Sequence, residues 1–260
     1  MIFKDMLAKF EELAPQKYAL TKDNTGFQIG SLDKEIKRIC IALDATDDVI
    51  GQAVSAEVDL LLTHHPLLYN PVTQILASDY TGRRVMQLIK NDINYMSLHT
   101  NFDVMVMAGL SADIFGLLER QILWITFEEG EEKQGIGRFG KLSRKMALRE
   151  CVEIIKSRFK TDAVLVYGDK EKIINTVAIC PGSSSSILKY AVNAGVDLLI
   201  TGDIEHHMAL EALGHGICLV DAGHYGTEKI FVPYMIDFFR WDIPGMDVFA
   251  AMDDNPFYIV

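Results

Sequence analysis

Ala56-Glu57-Val58-Asp59-Leu60-Leu61-Leu62-Thr63 is matched 138 residues downstream by Ala194-Gly195-Val196-Asp197-Leu198-Leu199-Ile200-Thr201, with six of eight positions identical. A short unbroken apolar run of this kind reads as a strand buried on both faces. Both copies follow a strand and a helix. A histidine pair comes after each one, His64-His65 in the first case and His206-His207 in the second. Six matches in the same β-α-β context favour an internal duplication, because chance agreement among Val and Leu would not extend to the flanking elements.

Working outward from the first copy, Arg38 to Leu43 reads as a buried strand and Asp47 or Asp48 as the cap of a helix running to about Glu57. A helix from Arg83 to Asn91 and a strand from Ile93 to Leu98 follow. Strands alternating with helices of this length predict a parallel sheet covered by helices. Ahead of it, Ile2, Phe3, Met6, Leu7, Phe10 and Leu13 repeat at helical spacing, and Pro15 closes that helix. The expected class is α/β with two similar lobes, residues 1–120 and 121–260, in which 121–170 is a connecting segment. In that segment Glu128 to Glu132 reads as a solvated acidic loop. Gly135-Ile136-Gly137-Arg138-Phe139-Gly140 looks like a phosphate loop but lacks the strand and helix that would frame one, so a turn is expected. Ser143 reads as the cap of a helix bearing Met146, Leu148, Val152, Ile155 and Phe159, and Ala163 to Tyr167 and Ile173 to Cys180 as strands. No long linker separates the lobes, which predicts that they pack together.

The chain has 260 residues, 49% of them hydrophobic and 23% charged, which suffices for a large core. A formal net charge of −11 argues against a groove that tracks nucleic-acid phosphates. Cys40, Cys151, Cys180 and Cys218 are scattered in apolar runs, which predicts buried free thiols in a reducing compartment. The N-terminal residues lack the apolar core of a signal peptide, and no apolar run approaches the ~20 residues that span a bilayer. A cytoplasmic protein is expected.

All seven histidines fall in three segments: His64-His65, His99, and the stretch from Glu205 to Glu228 that holds His206, His207, His215 and His224. Carboxylates stand beside two of the three, Asp103 four residues past His99 and Glu228 four past His224. Neutral imidazoles with carboxylates suit zinc, iron(II) or manganese, and five such groups can hold two ions. His64 and His65 cannot point the same way inside a regular strand, so both serve only beyond the strand end or on different ions. Pro66 keeps the pair extended. His224 and Glu228 share one face at a helix start, and a carboxylate can bridge two cations. Ile230, Phe231, Tyr234, Met235, Phe238 and Phe239 mark the buried side of the next helix, which Pro233 kinks or delays. His206, His207 and His215 fit an ordinary helix surface. Gly182, Ser183 and Ser184, in the turn from Pro181 to Ser186, read as a candidate phosphate cradle at a helix N-terminus, with a serine-capped turn as the plainer alternative.

Leu61-Leu62-Thr63-His64-His65-Pro66-Leu67, Ser97-Leu98-His99-Thr100-Asn101-Phe102-Asp103, Thr201-Gly202-Asp203 and Asp221-Ala222-Gly223-His224-Tyr225-Gly226-Thr227-Glu228 resemble the signature blocks of the Nif-three-like family, also called the GTP cyclohydrolase I type 2 family. Asp23 to Gly30 and Gly135 to Gly140 are similar to two further blocks, so the resemblance covers nearly the whole chain. It implies a duplicated three-layer α/β fold, two divalent metal ions held between the lobes, and a toroidal homohexamer. Carried over, its metal ligands are His64, His65, Asp103, His224 and Glu228. This chain departs by lacking the domain that longer members insert, and by Lys22 where many members have tryptophan. The resemblance also implies two readings of function. One is hydrolysis of a nucleotide such as GTP, with Glu228 or a metal-bound hydroxide taking the proton and His99 as an acid/base or supporting residue. The other is a noncatalytic metal-binding scaffold that docks a partner protein.

Overall fold

The computed structural model describes residues 1–183, 186–252 and 255–258. In chain order the first elements are α1 (Phe3–Leu13), β1 (Gly26–Ile29), β2 (Arg38–Ala42), α2 (Asp47–Ser55), β3 (Leu60–Thr63), α3 (Tyr80–Lys90), β4 (Asn94–Ser97) and the single turn α4 (Thr100–Phe102). A five-residue π-helical segment, Asp103–Met107, precedes α5 (Ala108–Phe115), the strands β5 (Leu118–Glu129) and β6 (Glu132–Ala147), and α6 (Leu148–Phe159). Then come β7 (Leu165–Tyr167), β8 (Ile173–Ser183), α7 (Leu188–Ala194), β9 (Leu198–Gly202), α8 (His206–Gly214), β10 (Cys218–Asp221) and α9 (His224–Glu228). The chain closes with α10 (Phe231–Asp242) and β11 (Asp247–Ala250). Among the described residues no helix is long and apolar enough to cross a membrane.

Two compact units result. Unit 1 holds Met1–Phe102 and Phe231–Asp254, and unit 2 holds Asp103–Ile230 with the C-terminal residues from Asn255. Unit 1 therefore differs from the expected 1–120 lobe. Its sheet, ordered β1-β4-β3-β2-β11, recruits the last strand, because Asp247 to Ala250 pair in parallel with Arg38 to Ile41. Leu60, Leu61 and Leu62 are fully buried in mid-sheet, which is why this strand reads as an unbroken apolar run. Val49, Ile50 and Ala53 of α2 and Val85 and Leu88 of α3 pack with Cys40, Leu61 and Tyr95. Helix α1 supplies Phe3, whose ring lies 4.7 Å from that of Phe27 on β1, and Phe10, whose ring meets that of Phe239 on α10 at 5.9 Å.

Unit 2 has the sheet order β5-β6-β8-β9-β10-β7. Within it β7-β10-β9-β8 repeats β1-β4-β3-β2: three parallel strands in the same order, with an antiparallel strand at the end. Equivalent contacts go down to single atoms. An Asp59 Oδ accepts the amides of Lys37 and Arg38 at 2.8 and 2.9 Å, and an Asp197 Oδ accepts those of Asn175 and Thr176, both at 2.9 Å. Each aspartate thus ties the start of its own strand to the strand beside it, which explains its identity in both copies. Glu57 and Gly195, one of the two mismatches, both take left-handed conformations, with φ of 51° and 63°, where the helix stops.

The middle of the chain is more regular than expected. Residues 118–147 form a long antiparallel hairpin, and the acidic loop is its tip at Gly130. Gly135 to Gly140 lie within β6. A Cβ at Gly135 would sit 2.0 Å from the Trp124 carbonyl oxygen, and one at Gly140 2.4 Å from that of Leu118, so these glycines permit strand contact. Ser143 and Met146 belong to β6, and α6 begins only at Leu148, with the Glu150 carboxylate accepting the Ala147 amide. Thr46, rather than Asp47 or Asp48, caps α2, its hydroxyl accepting the Val49 amide at 3.1 Å. Asp47 instead binds Arg83 and Arg84. Pro233 sits in the first turn of α10, where its missing N–H costs nothing.

Candidate metal-binding site

In unit 1 the parallel strands β2, β3 and β4 end together, and the loops beyond them carry Asp44, His64-His65 and His99. Open α/β sheets bind ligands beyond the carboxyl ends of their strands. The His64 ring packs between His65 and Phe231, with centroids 4.9 and 5.3 Å away, and is fully buried. Its Nδ1 lies 2.8 Å from the Leu98 carbonyl oxygen. A carbonyl can only accept, so Nδ1 carries the proton and Nε2 the lone pair. Nδ1 of His65 meets Asp44 Oδ1 at 2.9 Å, and Nδ1 of His99 meets Asp23 Oδ1 at 2.7 Å. Asp23 reaches His99 because β1 runs antiparallel to β4, with Gly26 opposite Ser97. Burial would raise the Asp23 carboxyl, but the His99 ring and the amide and hydroxyl of Thr100 outweigh it and hold it below the usual aspartate range. His64, His65 and His99 each offer a donor atom within 4.8 Å of the others.

Tyr95 fixes the loop that bears His65. Its hydroxyl donates to the His65 carbonyl and accepts the Leu67 amide, both at 2.8 Å, and it lies 2.6 Å from the Thr63 hydroxyl. Burial pushes this phenol above its ordinary range, so it stays a donor.

Unit 2 builds its counterpart from β8, β9, β10 and α9. Nδ1 of His224 meets Asp203 Oδ2 at 2.7 Å, and its Nε2 lies 2.9 Å from Oε2 of the buried Glu228, one turn on. With Asp203 holding the Nδ1 proton, two electron-pair donors stand side by side there, an arrangement that a shared proton or a metal ion ligated by both satisfies. Asp221 anchors both adjacent loops by accepting the amides of Ile204 and Gly223, each at 2.9 Å. Asp103 opens the π-helical segment. Glycine is required at two contacts here. A Cβ at Gly182 would lie 2.1 Å from Glu228 Oε1, and one at Gly202 2.5 Å from the His224 backbone nitrogen.

The sequence reading of Gly182, Ser183 and Ser184 as a phosphate cradle is corrected in part. Gly182 and Ser183 close strand β8, the Gly182 amide donates to the Thr227 hydroxyl at 3.0 Å, and α7 starts only at Leu188. A committed amide in a strand offers no donor to a phosphate. Ser184 lies outside the described residues. His206 and His207 open α8, His215 follows its end, and all three are exposed, as a helix surface predicts. His64-His65 correspond in the fold to Gly202-Asp203, not to His206-His207: Thr63 and Thr201 each accept an amide from the neighbouring strand end, Leu98 and Ala222 respectively.

Sequence reasoning missed Asp23, Asp44 and Asp203, which hold the imidazoles. A signal existed for two of them, because Asp44 to His65 and Asp203 to His224 are both 21 residues, about one strand-helix repeat. The donor set fits a divalent metal. Imidazoles held by oxygen at Nδ1 present Nε2, the arrangement in which carboxylates orient metal-ligating histidines, and nitrogen with carboxylate oxygen suits zinc, iron or manganese.

A family model for Duf34/NIF3, NGG1p interacting factor 3, matches residues 1–256. The chain is 34% identical over 229 residues to a Clostridium perfringens protein named GTP cyclohydrolase 1 type 2 homolog, covering 88% of this chain and 87% of the relative. Among solved structures it is similar to HcgD from Methanocaldococcus jannaschii, at 30% identity and a TM-score of 0.85, covering 97% and 98% of the two chains. A Bacillus cereus protein related to NIF3 shares the fold with a TM-score of 0.90 at 21% identity, covering 99% of each chain.

Proposed function

The chain belongs to the DUF34/NIF3 family, and from that premise we propose that it is a metal-dependent hydrolase of a nucleotide such as GTP. The carrying observation is the set of imidazoles, His64, His65, His99 and His224, each held at Nδ1 by an oxygen. The proposed ligands of two divalent ions, zinc, iron or manganese, are His64, His65, Asp103, His224 and Glu228, and the name of the clostridial relative, GTP cyclohydrolase 1 type 2 homolog, supports the substrate class. Such ions activate water at neutral pH and polarise the attacked group. The protein's own residues supply the rest. Asp44 and Asp203 fix the tautomers of His65 and His224. Glu228, buried and aimed at His224, accepts a proton. Asp23 orients His99 through its Nδ1, and His99 serves as an acid/base residue. The family resemblance extends the proposal to a homohexamer, for which light scattering at 29.1 kDa across micromolar concentrations would be the contrary result.

The description NGG1p interacting factor 3 favours a second reading, a noncatalytic metal-binding scaffold that docks a partner protein. Elemental analysis and GTP turnover separate the two. Asp103→Ala should lose at least one metal equivalent while His207→Ala keeps the parent's content, and Glu228→Gln should remove most hydrolysis. Full metal loading in both of the first variants overturns the ligand set. Metal-replete protein that leaves GTP and related nucleotides intact leaves the scaffold reading standing.

A further inference from the structure

Arg138 in β6 has a side chain that its surroundings do not neutralise. It is partly buried, opposite Ile122 on β5 and Ile179 on β8. Nη1 donates to the carbonyl oxygens of Gly135 and Gly137, both at 2.8 Å. Among the described residues no carboxylate lies within ion-pairing distance of it, and no other protein partner meets its Nε or Nη2. These two nitrogens form the edge of a guanidinium that grips a carboxylate or phosphate with two parallel hydrogen bonds. A cation drawn part-way out of water usually has a counter-ion, because desolvation without one is costly. Desolvation lowers the Arg138 pKa, and the positive charge of Arg120 lowers it further.

The local sequence holds this arrangement rigid. Gly137 takes a φ of 67°, and a Cβ there would press on the Ile179 carbonyl oxygen at 3.0 Å, so the carbonyls that grip Nη1 are set by the strand contacts. Arg120, on the neighbouring strand, is 38% exposed and pairs with Asp113 at 2.6 Å, which places a second guanidinium beside this stretch of β6. Along β8, Ile179 lies three residues before Gly182, which abuts Glu228.

We propose that Arg138 anchors an oxyanion site in unit 2 that takes phosphate-class anions, with Arg120 contributing the second positive charge. In the nucleotide reading above, on which the substrate assignment rests, this site holds the phosphate tail. The anion site itself does not depend on turnover.

The test is calorimetric titration of the purified, metal-containing protein with inorganic tripolyphosphate, alongside Arg138→Gln, Arg138→Lys and Arg120→Gln, with metal content and Tm measured for each. The expected result is binding by the parent, at least tenfold weaker binding by Arg138→Gln, and a severalfold loss for Arg120→Gln, all with metal content unchanged. Arg138→Lys keeps the charge without the two-pronged edge. It should also bind at least several times more weakly, and it carries the test if Arg138→Gln does not fold. GTP should lose affinity by the same factors and guanosine should not respond. A parent that does not bind tripolyphosphate, equal affinity in parent and Arg138 variants, or a loss of binding that tracks loss of metal overturns the site. Failure of GTP hydrolysis with these affinity losses intact overturns only the enzymatic reading.

Discussion

The two copies of the β-α-β unit share their backbone plan and differ at the strand ends. β3 ends on His64-His65, whereas β9 at the same place ends on Gly202-Asp203. Unit 1 thus carries its imidazole at the end of β3 and its aspartate, Asp44, at the end of β2. In unit 2 the aspartate, Asp203, takes the β9 position and the imidazole, His224, moves one strand over to follow β10. Strand interiors keep the sheet, while loops beyond the carboxyl ends change without cost to it. The duplication has preserved a spacing and a hydrogen-bonded pair rather than a residue at a given site.

The largest test of this contrast is steric. His64 carries a whole side chain where Gly202 tolerates none, since a Cβ there would lie 2.5 Å from the backbone nitrogen of His224 and 2.7 Å from the carbonyl carbon of Gly223. Neither atom can swing aside. Gly202→Ala should cost about 3 kcal/mol in urea denaturation. A loss within about 0.5 kcal/mol would show that the two strand ends are less different than they look.

Next comes the shared aspartate. Asp197 accepts the Thr176 hydroxyl as well as two amides, and its surroundings are less open than those of Asp59. Removing it as Asp197→Ala should cost about 2 to 3 kcal/mol against about 1 to 2 for Asp59→Ala. Burial raises the Asp197 carboxyl, but the amides of Thr176 and Asn175 and the Thr176 hydroxyl outweigh it and hold the carboxyl below the usual aspartate range. A folded pKa depressed in this way gives stabilisation that is complete above the unfolded value and lost as pH falls through the folded one. The stability gap between the parent and Asp197→Asn should therefore close as the pH drops below about 4. A gap that is constant with pH would assign the effect to packing.

The aspartate-histidine pairs set a smaller difference. Asp44→Asn and Asp203→Asn each leave an amide that cannot hold the imidazole tautomer as firmly, and each should weaken metal affinity about 10- to 100-fold. Competition against a chromophoric chelator measures this. Equal losses at the two positions would mean that the pairs are functionally equivalent, and a loss at one alone would restrict the role to that unit.

The smallest effect lies at the helix ends before β3 and β9. Glu57 holds a φ of 51° that a side chain disfavours, and Gly195 holds 63° with no neighbour within reach of a Cβ. Glu57→Gly should stabilise the fold by about 0.5 to 1 kcal/mol, and Gly195→Ala should destabilise it by about 1 kcal/mol. Thermal unfolding of the pair checks both signs.

The periodic parts were legible in the residues alone: β3 and β9 as buried apolar runs, their helices, and the duplication that the Asp59 and Asp197 pairings repeat atom for atom. The sequence also singled out the histidines that cluster, because His64, His65 and His99 stand at strand ends marked by the same runs. Tertiary structure decided the rest. β11 joins unit 1 from the far end of the chain through pairing with β2, a contact with no local signal in Asp247 to Ala250. The Gly135 to Gly140 stretch became strand by pairing with β5 and β8, with Gly135 and Gly140 leaving no Cβ against the Trp124 and Leu118 carbonyls. Asp23 reached His99 from 76 residues away, an interaction set by an antiparallel strand rather than by spacing. Local patterns encode which faces are buried, whereas long-range hydrogen bonds between backbone atoms carry no residue signature, so only the folded chain discloses which strands meet and which carboxylates hold the imidazoles.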